Sequence, residues 1–283
     1  MLSVALAALS GLIWGVCDFS GGKATQRAAV LPVVWISKLV SLPLLVIYLI
    51  ATYVPVTAVG LAWGGLAGVA GVVGLVLFYR ALAAGAMTVV APVTGVTSAA
   101  IPVVVGLVAG ERPSVTRLLG VGCALLAIAL VSLAPHPARQ RQVVTRRLVI
   151  AALCAGTGFA LFFVLLAVAS KTAGGAVGLW PIAGSQISAL VILTLLVLMT
   201  RPGPWPRHAA LRWTMVAGPC DMTANALYLL ATRGGDLSVV APIAALYPVT
   251  TVILALIIEH ERLRGIQVAG LILAVAALVL VSR

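Results

Sequence analysis

Ten apolar runs, each close to the length of a bilayer crossing, fill almost the whole chain. They lie near residues 2–20, 31–50, 58–79, 86–108, 116–133, 148–169, 177–199, 209–231, 237–258 and 265–282. A helix needs ~20 apolar residues to span the hydrocarbon core, where lipid offers no partner to a backbone N–H or C=O. A soluble domain of ordinary composition carries about 25% charged residues. This chain has 8%, against 63% hydrophobic, and a water-facing exterior cannot be built from it. The fold class is therefore all-α, a polytopic membrane protein of about ten transmembrane helices.

Net charge is +12, a balance that in a soluble protein points to nucleic acid. Here the basic residues stand singly or in short loops between apolar runs, with no basic face interleaved with aromatics. No nucleic-acid partner follows; the charge reads as loop charge on one side of a membrane. Cys17, Cys123, Cys154 and Cys220 sit in separate apolar runs without metal-ligand spacing, so no metal or other cofactor is expected. The start, MLSVALAALSGLIWG, lacks a basic leader region and runs straight into the first span.

The chain repeats itself. TVVAPVTGVTSAAIPVVV at 88–105 aligns with SVVAPIAALYPVTTVILA at 238–255, and the same offset of 150 pairs Glu111 with Glu261, Gly120 with Gly270 and Ser132 with Ser282. Tyr79 pairs with Tyr228 after a one-residue slip. Two five-span units follow, residues 1–133 and 148–283, joined by a basic linker at 134–147. Five is odd, so the second unit enters the membrane in the opposite sense. Inverted repeats of this kind place a substrate site near the midplane, between the halves.

Loops after odd-numbered spans carry twelve Lys and Arg residues, among them Lys23, Arg27, Arg139, Arg201 and Arg207; the other face carries five. The positive-inside rule then puts the linker in the cytoplasm and both termini outside.

Each half resembles an EamA domain of the drug/metabolite transporter superfamily. The matching pieces are Trp14-Gly15, Val89-Val90-Ala91-Pro92, Gly110-Glu111-Arg112 and Gly120, then Val239-Val240-Ala241-Pro242, Glu261-Arg262 and Gly270. The resemblance covers essentially the whole chain and is weakest over spans six to eight. It implies a ten-helix carrier that moves small metabolites, often outward, by alternating access. It also implies cytoplasmic termini, opposite to the charge count.

Pro92 and Pro242 occupy equivalent places in the halves, and paired interruptions are the pointer to a transport site. Glu111 and Glu261 stand where a span meets a short loop, and a carboxylate there favours the start of the next helix. Six glycines of the third span, Gly60, Gly64, Gly65, Gly68, Gly71 and Gly74, suit close helix packing.

Three ionisable residues lie inside spans, where they are costly and mark pathways by default. Asp221 shares a helical face with Gly218, Asn225 and Tyr228 and is a candidate proton carrier. Asp18 lies on the face of Gly11, Trp14 and Gly15. Lys38 enters from the same side; either it pairs with Asp18 at a cavity mouth, or it snorkels to the interface while Asp18 caps a helix end. Its repeat counterpart is Gln186. Trp14, Tyr79, Tyr228 and Tyr247 complete the candidate pathway. No catalytic residue is assigned. An aspartyl intramembrane enzyme using Asp18 and Asp221 competes with the carrier reading, but Gly218-Pro219-Cys220-Asp221 departs from the GxGD pattern. A lipid-handling membrane subunit is the third reading. The partners expected are a small-molecule substrate, membrane lipid and protons, with the chain as monomer or homodimer in the cytoplasmic membrane.

Overall fold

The computed structural model describes residues 1–83, 87–133, 145–172, 177–260 and 264–283. Glu261, Arg262 and most of the basic linker lie outside the described residues. The described residues form twelve helices and no strand. These are α1 (Leu2–Thr25), α2 (Val30–Val40), α3 (Leu42–Thr52), α4 (Ala58–Ala83), α5 (Met87–Val108) and α6 (Val115–Ser132) in the first half. The second half holds α7 (Arg146–Lys171), α8 (Trp180–Thr200), α9 (His208–Gly234), α10 (Leu237–Ala244), α11 (Tyr247–Ile258) and α12 (Gly265–Val281).

Helices α2 and α3 are one span broken at Ser41, and α10 and α11 are one span broken at 245–246, so twelve helices make ten crossing segments. Eight of these are long and apolar enough to cross a membrane by length and composition alone. The others are α12, only 17 residues long, and α9, which carries the polar strip with Asp221. Large apolar side chains face outward along the bundle, as with Leu119 (60% exposed), Ile187 (56%) and Val275 (62%). In water such a surface would aggregate; in lipid it is the expected exterior.

The halves interlock around a pseudo-twofold. Helix α1 packs on α9 as α4 packs on α7; α9 packs on α2 as α4 packs on α8; α6 and α12 pack on each other. Glycines mark the same relation at atomic scale. A Cβ on Gly68 would lie 2.4 Å from Ser185 O, and one on Gly218 would lie 2.2 Å from Ser37 O. Gly11 sits against Ala244 O as Gly156 sits against Thr94 O, and Gly120 against Val281 as Gly270 against Val131. Each close approach has its mirror, because a duplicated sequence repeats its small residues and hence its crossings.

Two expectations need correction. The paired prolines do not interrupt their spans: Pro92 lies inside α5 and Pro242 inside α10. The ninth span breaks instead at Pro248, which has no N–H to donate to Ala244 O and whose place in the first half is taken by Ser98. Tyr79 is not the mate of Tyr228 either. Phe78 stacks near Phe159 at 6.1 Å between ring centroids, and its mirror is Tyr228 near Trp14 at 5.9 Å. The break at Ser41, absent from the sequence reading, is stabilised from the other half: Gln186 Nε2 donates to Lys38 O at 2.6 Å and to Ser41 Oγ at 2.7 Å. Backbone freed inside a membrane needs such a partner.

Candidate functional site

Helices α1 and α9 run antiparallel and are pinned where Ser10 Oγ donates to Ala224 O at 2.7 Å. Gly218 lets α9 approach α2 closely, and one turn further Lys38 Nζ donates to Asp221 Oδ2 at 2.5 Å. Both side chains are about a fifth exposed, at 20% and 22%. Lys38 therefore pairs with Asp221 and not with Asp18. The reason is geometric. At ~1.5 Å rise per residue, counting from the Ser10–Ala224 contact places Asp18 about 7 Å nearer the membrane face than Asp221.

Asn225, one turn beyond Asp221, is 7% exposed. Its Nδ2 donates to Asp221 O at 2.6 Å, and its Oδ1 has no hydrogen-bond partner. A carbonyl can only accept, so this contact fixes the amide orientation and leaves Oδ1 as a free acceptor.

Asp18 is exposed. It shares the face of Gly11 and Gly15, which press on α10 and α11, and lies toward the face holding the 26–29 and 201–207 connections, which carry Arg27, Arg201 and Arg207. A separate surface hollow of about 380 Å³, lined by Arg27, Pro204, Trp205 and Arg207, lies on that face and touches neither Asp18 nor Asp221.

The opposite end is sealed. Trp14, Phe163 and Tyr228 form an aromatic plug, with centroids 5.3 Å apart for Trp14–Phe163 and 5.0 Å for Phe163–Tyr228. Tyr228 is fully buried and its Oη donates to Phe163 O at 3.0 Å, so Trp14 and Tyr228 are packing members of the plug. All eight residues of α10 are buried, Pro242 included, and no residue of α11 is. Pro92 is likewise buried within α5.

Glu111 closes this end. Its Oε1 accepts from Leu237 N at 2.7 Å and its Oε2 from Ser238 N at 2.8 Å, the first free amides of α10. Lys171 Nζ donates to Oε1 at 3.1 Å. The sequence reading had Glu111 serving the next helix, α6; Ser114 caps α6 instead, and Glu111 reaches across to the other repeat. Gly106 makes the room, since a Cβ there would sit 2.3 Å from Glu111 Oε2. Burial would push the Glu111 carboxyl up, but hydrogen bonds from Ser238 and Leu237 and the Lys171 ammonium hold it below the ordinary carboxylate range. Its repeat mate, Glu261, lies outside the described residues. On the Lys- and Arg-rich face Lys23 pairs with Glu259.

Sequence reasoning missed three polar contacts of this core: the Gln186 brace, the Ser10 pin and Tyr48 Oη with Thr223 Oγ1 at 2.9 Å. Ser, Gln and Tyr inside a span give only a weak signal, because they also occur wherever a helix needs a local hydrogen bond. Among the described residues no cluster of His, Cys, Asp or Glu is arranged to hold a metal ion.

The family model of EamA-like transporters matches residues 148–283. Residues 148–283 form an EamA-family domain. The match covers the second half, and the mirrored packing carries the same architecture into the first. The chain matches 28 solved chains. One, described only as "Crystal structure of protein", aligns over 99% of this chain and 98% of its own with a TM-score of 0.77 at 14% identity. At that identity the likeness shows the fold alone. No curated protein matches the sequence. That domain belongs to the drug/metabolite transporter superfamily, and the apolar helices make the chain a multi-pass integral membrane protein.

Proposed function

We propose that this protein is a secondary carrier that moves a small metabolite across the cytoplasmic membrane by alternating access, with export as its direction. The observation that carries the reading is the unequal build of the two ends. Polar groups at Asp18, Lys38, Asp221 and Asn225 lie along α1, α2 and α9, and beyond them the Glu111 clamp and the aromatic plug tie the helices together. The two ends are built from the same repeated sequence, so the state with the ends exchanged uses equivalent contacts.

A proton is the coupling ion in this reading. Protonating Asp221 removes the charge that holds Lys38, and a freed ion pair in a poorly solvated interior favours rearrangement. Purified protein in liposomes with an imposed pH gradient tests it. Asp221→Asn is expected to abolish gradient-driven solute flux while the protein still inserts and elutes as wild type. Undiminished gradient-driven flux in that variant overturns the coupling role of Asp221.

A further inference from the structure

The acidic residues are spaced so that none lies between Asp18 and Glu111, nor between Glu111 and Asp221. The face rich in Lys and Arg carries twelve basic residues in or beside its connections, against Glu259 and Glu261. Glu259 is already paired with Lys23. The chain itself supplies too few anions to balance that face, and its surroundings supply the rest.

One hollow draws this charge together. It holds about 380 Å³ and is lined by Arg27, Pro204, Trp205 and Arg207, a size within the ~300–1,000 Å³ of small-ligand sites. Arg27 belongs to the connection before α2 and Arg207 to the one before α9. Ala29 N donates to Pro204 O at 2.8 Å and holds the two connections together. Neither guanidinium has an ion-pair partner among the described residues. Both helices begin here without a side chain capping their first amides, and a helix start carries partial positive charge that draws an anion. Trp205 is 43% exposed and packs edge-on against Trp35, with ring centroids 5.7 Å apart. Exposed indole rings belong at the headgroup level of a bilayer.

We propose that this hollow binds the phosphate of an anionic phospholipid. Arg27 and Arg207 grip its oxygens, since a planar guanidinium offers paired N–H groups to phosphate. A choline headgroup brings its own cation against two guanidiniums and two helix starts; a headgroup of net negative charge does not. A lipid also presents its phosphate at this depth, whereas free phosphate must leave bulk water to reach it. The bound lipid bridges the connections ahead of α2 and α9, whatever solute the protein carries.

The test uses the full chain in detergent, by native mass spectrometry and thermal shift, with four probes: dioleoyl phosphatidylglycerol, dioleoyl phosphatidylcholine, glycerol 3-phosphate and inorganic phosphate. Phosphatidylglycerol is expected to bind roughly tenfold tighter than phosphatidylcholine, the order that two basic residues contribute at an anionic surface. Neither water-soluble phosphate stabilises the protein as much at equal concentration. Arg27→Gln with Arg207→Gln removes most of that preference. Arg80→Gln with Arg147→Gln takes the same charge from exposed positions of the same face and leaves it. Equal binding of the two lipids by wild-type protein overturns the proposal. So does a preference that survives in a folded Arg27/Arg207 variant, or one lost equally in the Arg80/Arg147 variant, for then the face as a whole holds the lipid. Equal stabilisation by a soluble phosphate overturns the lipid as occupant. Should the double variant fail to fold, wild-type protein in nanodiscs decides. Phenylglyoxal modification of Arg27 and Arg207 is expected to slow severalfold in phosphatidylglycerol relative to phosphatidylcholine, beyond any change at Arg80 and Arg147. Equal slowing at all four overturns the site.

Discussion

At the scale of single residues, the most informative carboxylate is one that touches no substrate. Glu111 accepts two backbone amides of α10 and the Lys171 ammonium, and its side chain is 11% exposed. Hydrogen bonds to a charged group contribute roughly 1.5–3 kcal/mol each way of counting. Glu111→Gln keeps the shape and loses the charge, so it is expected to lower the apparent melting temperature of the purified protein at pH 7. The native carboxyl titrates below its ordinary value of about 4.3, which means its contribution is present above that value and fades as pH falls through the native one. The gap between wild type and Glu111→Gln should therefore narrow on acidification toward pH 4. A gap independent of pH would mean that the charge does not hold the clamp. Glu111 was legible in the sequence as a helix-end carboxylate; its partner was not, because the sequence places it beside α6 and only the interleaving of the repeats brings α10 to it. Asp221 and Asn225 were legible for a firmer reason, the cost of polar side chains in lipid. An Asp18 partner for Lys38 was one of two sequence readings because both enter from one side, and depth along two antiparallel helices favours Asp221 instead.

Helices carry a second lesson, written in glycine. Six glycines of α4 read alike in the sequence, yet their neighbours differ. A Cβ on Gly64 would lie 1.9 Å from Pro181 O of α8, and nothing lies within 4 Å of one on Gly65. Backbone cannot yield as a side-chain tip can. Gly64→Ala is therefore expected to cost about 1–3 kcal/mol through forced separation of α4 and α8. Gly65→Ala should be neutral or stabilising by about 0.5–1 kcal/mol, since alanine loses less backbone freedom in a helix. Comparing the two variants by urea or thermal denaturation in detergent checks it, and equal losses would show that α4 is not held at Gly64. Ten apolar runs located ten crossing segments, since length and hydrophobicity are local properties. The breaks at Ser41 and at 245–246 were not found that way. A proline kinks a helix wherever it falls, but whether the chain breaks depends on a partner such as Gln186, which lies in the other repeat.

For the whole molecule, what matters is where the symmetry fails. Helices cross in mirrored pairs, but the side chains at mirrored sites have diverged. Asp221 and Lys38 form an ion pair where the mirrored contact has Gly71 and Gln186, and Asp18 lies at the place whose mirror is Phe163 of the plug. One end is thus polar, the other aromatic and buried. A duplicated scaffold needs only such differences to favour one of two otherwise equivalent states by a few kcal/mol. Accessibility measures that preference directly. With the four native cysteines replaced, Asp18→Cys is expected to react with a membrane-impermeant thiol reagent added from the side of the Lys- and Arg-rich loops, and to be protected from the other side. A cysteine at Arg139, in the linker, reports which side that is, and the charge count expects the cytoplasm. Adding Glu111→Ala removes the clamp on α10, and protection from the opposite side should fall at least severalfold as the sealed state loses its advantage. Reactivity of Asp18→Cys from both sides in the unaltered background would mean that the interior is a pore and that no alternation is needed. Protection that survives the loss of Glu111 would shift the seal from the clamp to the plug of Trp14, Phe163 and Tyr228, where the substitution to make next is Phe163→Ala.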